Sequence, residues 1–250
     1  MEITKLKKKA FSLRQKTFQK FIERGEAHLG GSFSLIEIIV SLYEKIMDKK
    51  DKFILSKSHA SFPLSVLLRE KGFKTAFTTH FEIDTKNGIH CTTGSLGHGL
   101  PIATGMAASR KIQKKNGNIY VLISDGECQE GTTWESLLIA SKFELSNLII
   151  IIDYNKIQAL TTLKEGLPLE NLKKKILAFN CDCIEVKNGH SFKSLIAAFK
   201  RKRDKKKPRV IIAHTIKGKG IKEFENDPVW HARKIQGKEA EIGKKRLGIK

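Results

Sequence analysis

The sequence predicts an α/β fold in which parallel strands alternate with helices, and two observations lead to this prediction. Apolar runs at Tyr120–Ile123 and Leu148–Ile152 each end in polar residues, and the segment between them, Thr132–Glu144, has the pattern of a helix. Strand, helix and strand in this order form a right-handed βαβ unit, so both polar ends lie at one edge of a parallel sheet. Open α/β sheets bind their ligands at that edge.

The polar ends of these two strands carry oxygen ligands. Asp125 and Gly126 follow the first run, and Asn155 follows the second. A carboxylate and an amide oxygen suit Mg²⁺ or Ca²⁺, and a diphosphate could supply further oxygens. An Asp-Gly pair alone after a strand is usually a turn, so the metal hypothesis depends on its pairing with Asn155.

Composition restricts the class of protein. A chain of 250 residues with 40% apolar content can bury one core, so we expect a single domain over residues 1–250. There is no run of eighteen apolar residues and no apolar segment typical of a secretory signal, which favours a cytoplasmic protein without a membrane span. The four cysteines lack zinc-type spacing and are expected to be reduced thiols: Cys91, Cys128, Cys181 and Cys183.

The net charge of +21 raises the possibility of nucleic-acid binding. Nine of the 47 basic residues are arginine and 38 are lysine, spread along the chain. Base recognition favours arginine, so we expect nucleic-acid attraction to be non-specific at most.

The first part of the chain predicts two helices. Ile3–Arg24 has amphipathic spacing, and Gly25 ends it. Ser34 and Glu37 have the spacing of a capping box, which predicts that a second helix begins there and runs through Ile46. We expect the preceding pair of glycines to bend the backbone sharply and to leave His28 on a loop.

The next segments bring further candidate residues to turns. Lys52–Leu55 predicts a strand, and His59 then lies at the junction with a helix from about Ala60 to Lys71, where free amides attract anions. Phe73–Cys91, which contains His80, is expected to be an irregular loop. The glycine-rich segment 92–101 precedes a helix at Ile102–Lys115; taken alone, such a segment is more often a tight turn than a phosphate site.

The last third predicts two more strands and three helices. The predicted helices are Asn171–Phe179, Phe192–Arg203 and a short one from Gly237, and the predicted strands are Asp182–Val186 and Arg209–Thr215. We expect His190 to cap or support its turn, and His90, His98 and His214 either to support site residues from behind or to be structural. The segment 217–220, Lys-Gly-Lys-Gly, taken alone is a flexible basic turn.

Six stretches, taken together, resemble the transketolase family in the family's own order. They are His28-x-Gly-Gly-Ser-x-Ser, Ser56-Lys-Ser-His-Ala60, Thr93-Gly-Ser-Leu-Gly-x-Gly-Leu100, Asp125-Gly126 followed by Asn155, Lys217-Gly-Lys-Gly220, and Trp230-His231. Ser58 and Ser124 stand where the family usually has glycine.

The resemblance implies a mostly parallel sheet with helices on both faces and a cofactor, thiamine diphosphate. It implies that Asp125, Asn155 and the Ile157 carbonyl bind Mg²⁺ or Ca²⁺. It also implies the other site residues. The cofactor-binding residues would be Gly126 and Asn155, Gly94, Ser95 and Leu96 against the aminopyrimidine and diphosphate, and His59 and His231 near the diphosphate. His28, His80 and His231 would line the substrate channel as catalytic residues.

The resemblance further implies that the chain is the amino-terminal subunit of a split transketolase, which transfers a two-carbon ketol unit between sugar phosphates. In the family, a glutamate of a second, pyrimidine-binding domain activates the cofactor. We therefore expect a separately encoded carboxyl-terminal partner and a heterotetramer. Glu130 resembles a different family glutamate, placed between the two active sites of the dimer.

Two alternatives remain open at this point. A 2-oxo-acid dehydrogenase component shares the Asp-Gly and Asn pattern, although the segments 93–97 and 217–220 argue against it. A basic nucleic-acid-binding protein built on the same fold is the non-enzymatic alternative, and steep salt sensitivity would reveal it.

Overall fold

The computed structural model describes residues 2–25, 28–159 and 161–250, and a five-stranded sheet lies at its centre. Every paired strand in this sheet is parallel to its neighbour, in the order β1-β2-β3-β5-β4. The strands are β1 (Lys52–Leu55), β2 (Ile119–Ser124), β3 (Leu148–Tyr154), β4 (Asp182–Val186) and β5 (Arg209–His214). The predicted α/β fold with a parallel sheet is confirmed.

The central strands are almost continuously apolar because both faces of the sheet are covered. Side chains alternate between the two faces of a strand, and β3 shows the result. Ile149 and Ile151 pack into one hydrophobic core, whereas Ile150 and Ile152 pack into a second core on the opposite face. Helices therefore flank both faces, as expected.

The helices divide between these two cores. The helices are α1 (Glu2–Arg24), α2 (Leu29–Ser34), α3 (Ile36–Ser41), α4 (Ser61–Glu70), α5 (Gly99–Ile112), α6 (Gly131–Lys142), α7 (Leu172–Ala178), α8 (Phe192–Lys200) and α9 (Gly237–Leu247). Residues of α1 to α4, α8 and α9 build the first core, and residues of α5, α6 and α7 build the second. The segment between α4 and α5 is irregular, as predicted, with one short 3₁₀ turn at Thr85–Asn87.

The capping-box prediction is wrong. Ser34 is the last residue of α2, and α3 begins at Ile36 after Leu35 without a side-chain cap. Gly30 and Gly31 lie inside α2 and do not form a bend before a helix. The Ser34 hydroxyl donates to the Asp153 carboxylate at 2.6 Å, and Glu37 accepts from Arg14 at 2.9 Å. Both side chains serve tertiary contacts, so neither caps a helix end.

The basic turn at 217–220 is also not the flexible segment that its composition alone suggests. Lys217 is 1% exposed, and Gly218 donates from its amide to the Gly30 carbonyl. The four cysteines are free and buried. Within the described ranges, no helix has the length and apolar character needed to cross a membrane.

Candidate functional site

A cleft of about 430 Å³ lies at the carboxyl edge of the sheet, where the segments that follow β1, β2, β3 and β5 meet α2 and the turn before α5. Nearly all of the residues predicted from sequence line this cleft. They are His28, His59, His80, Gly94, Leu96, Asp125, Gly126, Asn155, Ile157 and His231. Ser95 is the exception, because it is exposed and lies outside the lining.

Asp125 is a buried carboxylate at the end of β2. The residue is 2% exposed, and its side chain accepts from the Gly126 amide at 2.9 Å and from the Lys156 amide at 2.6 Å. Burial, with the nearby Asp153 carboxylate, raises the pKa of Asp125 to about 7 despite these hydrogen bonds. In the part of the chain that the structure describes, no ammonium or guanidinium group forms an ion pair with it. A cation bound beside this carboxylate would therefore stabilise its ionised form.

The loop after β3 presents further oxygens to the same place. The Asn155 side-chain oxygen accepts from the Ile157 amide at 3.1 Å, and the loop closes through a backbone bridge between Ile157 and Thr162. The buried Lys217 ammonium donates to the carbonyls of Ile157 at 3.1 Å and Gln158 at 2.8 Å. The loop is thus held from the β5 side by a single lysine.

Three histidines converge on one side of the cleft. The ring centroids of His28, His59 and His231 lie 5.3 to 5.7 Å from one another. Burial, with the positive charge of Lys57, holds the pKa of His59 well below its usual value, and burial with Lys217 lowers the pKa of His231 to about 4. Both rings are therefore neutral at pH 7 and can accept as well as donate a hydrogen bond.

The tautomer of His231 follows from its neighbour. The Lys217 ammonium, whose pKa burial and Lys57 lower to about 8, lies 3.1 Å from Nδ1 of His231. An ammonium can only donate, so Nδ1 accepts and Nε2 carries the ring proton. His231 consequently has one N–H available on the far side of its ring.

Gly30 and Gly31 bring α2 close to these residues. A Cβ atom at Gly30 would lie 2.8 Å from the Lys217 side chain and 2.9 Å from the Trp230 carbonyl oxygen. At Gly31 it would lie 3.2 Å from the His59 ring. The two glycines are needed for close approach, which differs from the bend predicted for them.

The glycine-rich turn contributes in the same way. A Cβ at Gly94 would lie 2.7 Å from the His80 ring, so the turn and the exposed His80 pack directly together. Leu96 is 41% exposed at the mouth of the cleft. This turn therefore forms the outer wall of the cleft.

Sequence reasoning missed a buried ion pair beneath the cleft. The Lys57 ammonium lies 2.5 Å from the Asp153 carboxylate, with side chains 1% and 0% exposed. The same carboxylate accepts from the hydroxyls of Ser34 and Thr215. Burial acts to raise the pKa of Asp153, but Lys57 and these donors outweigh it and hold the pKa below its usual value. One carboxylate thus ties together the ends of β1, β3, β5 and α2.

Glu127 also received no role from the sequence. It is fully buried and accepts from the Ser124 amide at 2.8 Å, from the Gly97 amide at 3.1 Å and from the Ser56 hydroxyl. Burial raises its pKa. Its side chain fixes the segments after β1 and β2 against the glycine-rich turn.

The other histidines lie outside the cleft. His190 contacts the Glu37 carboxylate at 2.9 Å and accepts from the Ile216 amide at 2.8 Å, so it joins α3 to the segment after β5. His214 contacts Glu185 at 2.7 Å. His90 and His98 are likewise absent from the lining.

The residues present fit a divalent cation and a phosphorylated group. No group of three or more His, Cys, Asp or Glu side chains in the described ranges could hold a metal, so a cation would depend on the Asp125 carboxylate, the Asn155 amide oxygen and a backbone carbonyl. The positive charge of Lys217 and the N–H of His231 lie beside them. Such a set suits a hard cation that is also bound by phosphate oxygens.

Fold and cleft together define a domain of the α/β class that binds a phosphorylated cofactor at the carboxyl edge of a parallel sheet. The model of the family described as "Transketolase, thiamine diphosphate binding domain" matches residues 13–250. The chain belongs to the transketolase family and is its thiamine-diphosphate-binding domain, as the sequence motifs indicated.

Individual relatives agree with this assignment. The chain is 32% identical to one subunit of an apulose-4-phosphate transketolase of Phocaeicola vulgatus, over 92% of this chain and 89% of that one. It is also 32% identical to one subunit of a 6-deoxy-6-sulfo-D-fructose transketolase of a Clostridium species, over 92% and 91% of the two chains. A solved transketolase from Campylobacter jejuni superposes with a TM-score of 0.86 and 27% identity, covering 100% of this chain and 43% of that one.

Proposed function

We propose that this chain provides the diphosphate half of a transketolase site and transfers a two-carbon ketol unit from a ketose phosphate to an aldose phosphate together with a partner subunit. The observation that carries the proposal is the cleft in which the buried Asp125, the Asn155 loop, Lys217 and three histidines converge. Thiamine diphosphate, when bound, supplies the electron sink that carries the two-carbon unit.

Asp125, Asn155 and the Ile157 carbonyl are the proposed ligands of Mg²⁺, with Ca²⁺ as a substitute. A cation beside Asp125 would return the pKa of its carboxyl toward the usual range, because the charge that burial disfavours would be compensated. The Ile157 carbonyl now accepts from Lys217. Its second lone pair remains for the metal.

The diphosphate is proposed to bind to Lys217, His59 and His231, with Gly126 beside it. Lys217 was not assigned a site role from sequence, yet its ammonium is buried in the cleft wall. Burial lowers the pKa of this ammonium to about 8, and a bound anion would stabilise its charged form. Gly94 and Leu96 remain proposed contacts of the aminopyrimidine, whereas Ser95, predicted with them, does not line the cleft.

His28, His80 and His231 are the proposed catalytic residues toward the sugar. His231 can donate from Nε2 to a substrate hydroxyl while its Nδ1 is held by Lys217. Because Nε2 already carries the ring proton and Nδ1 is used by Lys217, His231 is proposed to act as a hydrogen-bond donor to that hydroxyl and not as its base. His80 lines the cleft beside Gly94, and we propose that it contacts the part of the substrate farther from the cofactor.

The partner is proposed to be a separately encoded subunit with a pyrimidine-binding domain, which supplies the activating glutamate, in a heterotetramer of two chains of each kind. Two observations support this. The relatives of similar length are described as subunits, and the chain spans about two-fifths of the Campylobacter jejuni enzyme.

We also propose a cytoplasmic location and one domain over residues 1–250.

The experiment is titration calorimetry of thiamine diphosphate, with the partner present and with and without Mg²⁺. Asp125→Ala should weaken the Mg²⁺-dependent affinity by several kcal/mol, or about 100-fold or more, because the cation loses its buried carboxylate. The exposed Asp204→Ala is the matched control and should bind as the native chain does. Unchanged affinity in Asp125→Ala would refute the metal assignment.

A further inference from the structure

A second cleft, of about 950 Å³, lies at the same edge of the sheet, over the carboxyl ends of β3, β5 and β4. The loop after β3 separates it from the candidate cofactor cleft. The two clefts lie on opposite sides of this loop, and Asn155 and Ile157 line both of them. A molecule bound in the second cleft would therefore touch the proposed metal-binding loop from behind.

The rim of the second cleft is strongly positive. Lys156, Lys164, Lys187 and Lys219 all line it. Lys219 is paired with Glu225 at 3.1 Å, but in the described ranges no carboxylate lies within 4 Å of the other three ammonium groups. One exposed carboxylate, that of Glu170, also lines the cleft, so the four lysines leave the lining with a net positive charge. Two carboxylates nearby are paired, Glu185 with His214 and Glu37 with Arg14.

The floor of this cleft is apolar. Leu163 and Leu169 are 4% and 5% exposed, and Ile216 and Tyr154 contribute partly buried surface beside them. Lys156 extends over the Tyr154 ring, with 5.7 Å between its ammonium and the ring centroid. An apolar floor within a polar, charged rim is an arrangement typical of protein interfaces.

Hydrogen bonds hold the loop after β3, called the cofactor loop from here on, at the cofactor cleft, where the Asp125 carboxylate accepts from the Lys156 amide. Lys217 donates to it from the side of the cofactor cleft, through the carbonyls of Ile157 and Gln158. On the opposite side it borders the open lysine-rimmed cleft. Contact there would complete the support of the residues proposed to bind the metal.

We propose that the lysine-rimmed cleft receives an acidic segment with apolar side chains from the pyrimidine-domain subunit, an inference that rests on the proposed function. Three features select this occupant. Lysines without an ion-pair partner attract carboxylates, the apolar side chains between them can pack against apolar side chains, and the cleft adjoins the one that the partner is proposed to close. Docking and cofactor binding are thereby coupled through the loop at Asn155–Ile157.

The test is the affinity between this full chain and the pyrimidine-domain subunit, measured by sedimentation or calorimetry at two salt concentrations. Lys164→Glu/Lys187→Glu should raise the Kd about tenfold or more at low salt, because two attractive contacts become repulsive. The salt dependence of the Kd should also become smaller. Lys115→Glu/Lys205→Glu is the control. It makes the same change in net charge at exposed positions before β2 and β5, at the opposite edge of the sheet.

The outcomes separate this inference from the proposed function. If the native chain and the control bind the partner tightly and support ketol transfer while the Lys164 and Lys187 variant needs more partner to do so, the docking proposal holds. Equal affinities of all three chains, with activity retained, would overturn docking alone. So would saturable binding of ATP or inorganic pyrophosphate that requires Lys164 and Lys187 and leaves partner affinity unchanged. Absence of ketol transfer by the native chain with its bound partner would instead contradict the proposed function.

Discussion

Replacing Lys57 by methionine should strongly destabilise the fold, because it leaves the buried Asp153 carboxylate without its cation. The two side chains are 1% and 0% exposed, so water cannot replace the lost ammonium. Removal of one partner from a buried ion pair costs about 3–5 kcal/mol. The hydroxyls of Ser34 and Thr215 still donate to Asp153, which places our expectation at the lower end, about 3 kcal/mol.

The assay is chemical and thermal unfolding at pH 7 without partner. For a chain of this size, about 3 kcal/mol corresponds to a fall in Tm of roughly 6–12 °C. Lys49→Met, at an exposed position, is the matched control and should change the free energy of unfolding by less than about 0.5 kcal/mol.

A second variant separates the buried charge from lost packing. Asp153→Asn combined with Lys57→Met removes both charges, so the double variant should be more stable than Lys57→Met alone. Burial is the largest cause of the lowered pKa of His59 and the charge of Lys57 is the next, so Lys57→Met should also raise that pKa in an NMR titration. A loss of less than about 1 kcal/mol in Lys57→Met, or a double variant less stable than the single one, would refute this account of the pair.

Two further predictions concern the histidines and glycines of the cleft. As the pH falls from 6.5 toward 4, His231 becomes protonated in the unfolded chain but stays neutral in the folded chain, so the free energy of unfolding should decrease over that window. The pKa shift sets an upper limit of about 3 kcal/mol, and solvent screening of this partly exposed ring reduces the expected loss to about 1 kcal/mol. In pH-dependent denaturation, His231→Gln should lose less stability there, and the exposed His98→Gln should match the native chain. Gly30→Ala should destabilise the fold by about 1 kcal/mol or more, since its Cβ would meet the Trp230 carbonyl. The control is Gly105→Ala in α5, where a Cβ meets nothing within 4 Å, and it should stabilise the fold by about 0.5–1 kcal/mol. Equal changes in Tm for the two variants would contradict the role of Gly30 in close packing.

The sequence could predict the positions of Asp125 and Asn155 because local pattern determines them. Each follows an apolar run, and parallel neighbours in register bring their carboxyl ends together; Ser124 pairs with Asp153 in the sheet. Motif order then located His28, His59 and His231, whose rings meet although more than 200 residues of sequence separate the outer two.

The sequence could not predict contacts that depend on tertiary packing. Lys57 follows β1, Asp153 lies in β3 and Lys217 follows β5, and nothing in their spacing along the sequence indicates that their charges are buried together. The capping-box prediction failed for the same reason: Ser34 and Glu37 have the local spacing of a cap, but Asp153 and Arg14 offer them stronger, buried partners.

The most direct test of the central claim is a titration of the pyrimidine-domain subunit into a fixed amount of this chain, with thiamine diphosphate, Mg²⁺ and sugar phosphates present. Ketol transfer is the readout. We expect no turnover from this chain alone and a rise that saturates at one partner per chain, because the cleft contains the diphosphate side of the site only. Full activity of this chain without the partner would contradict the account.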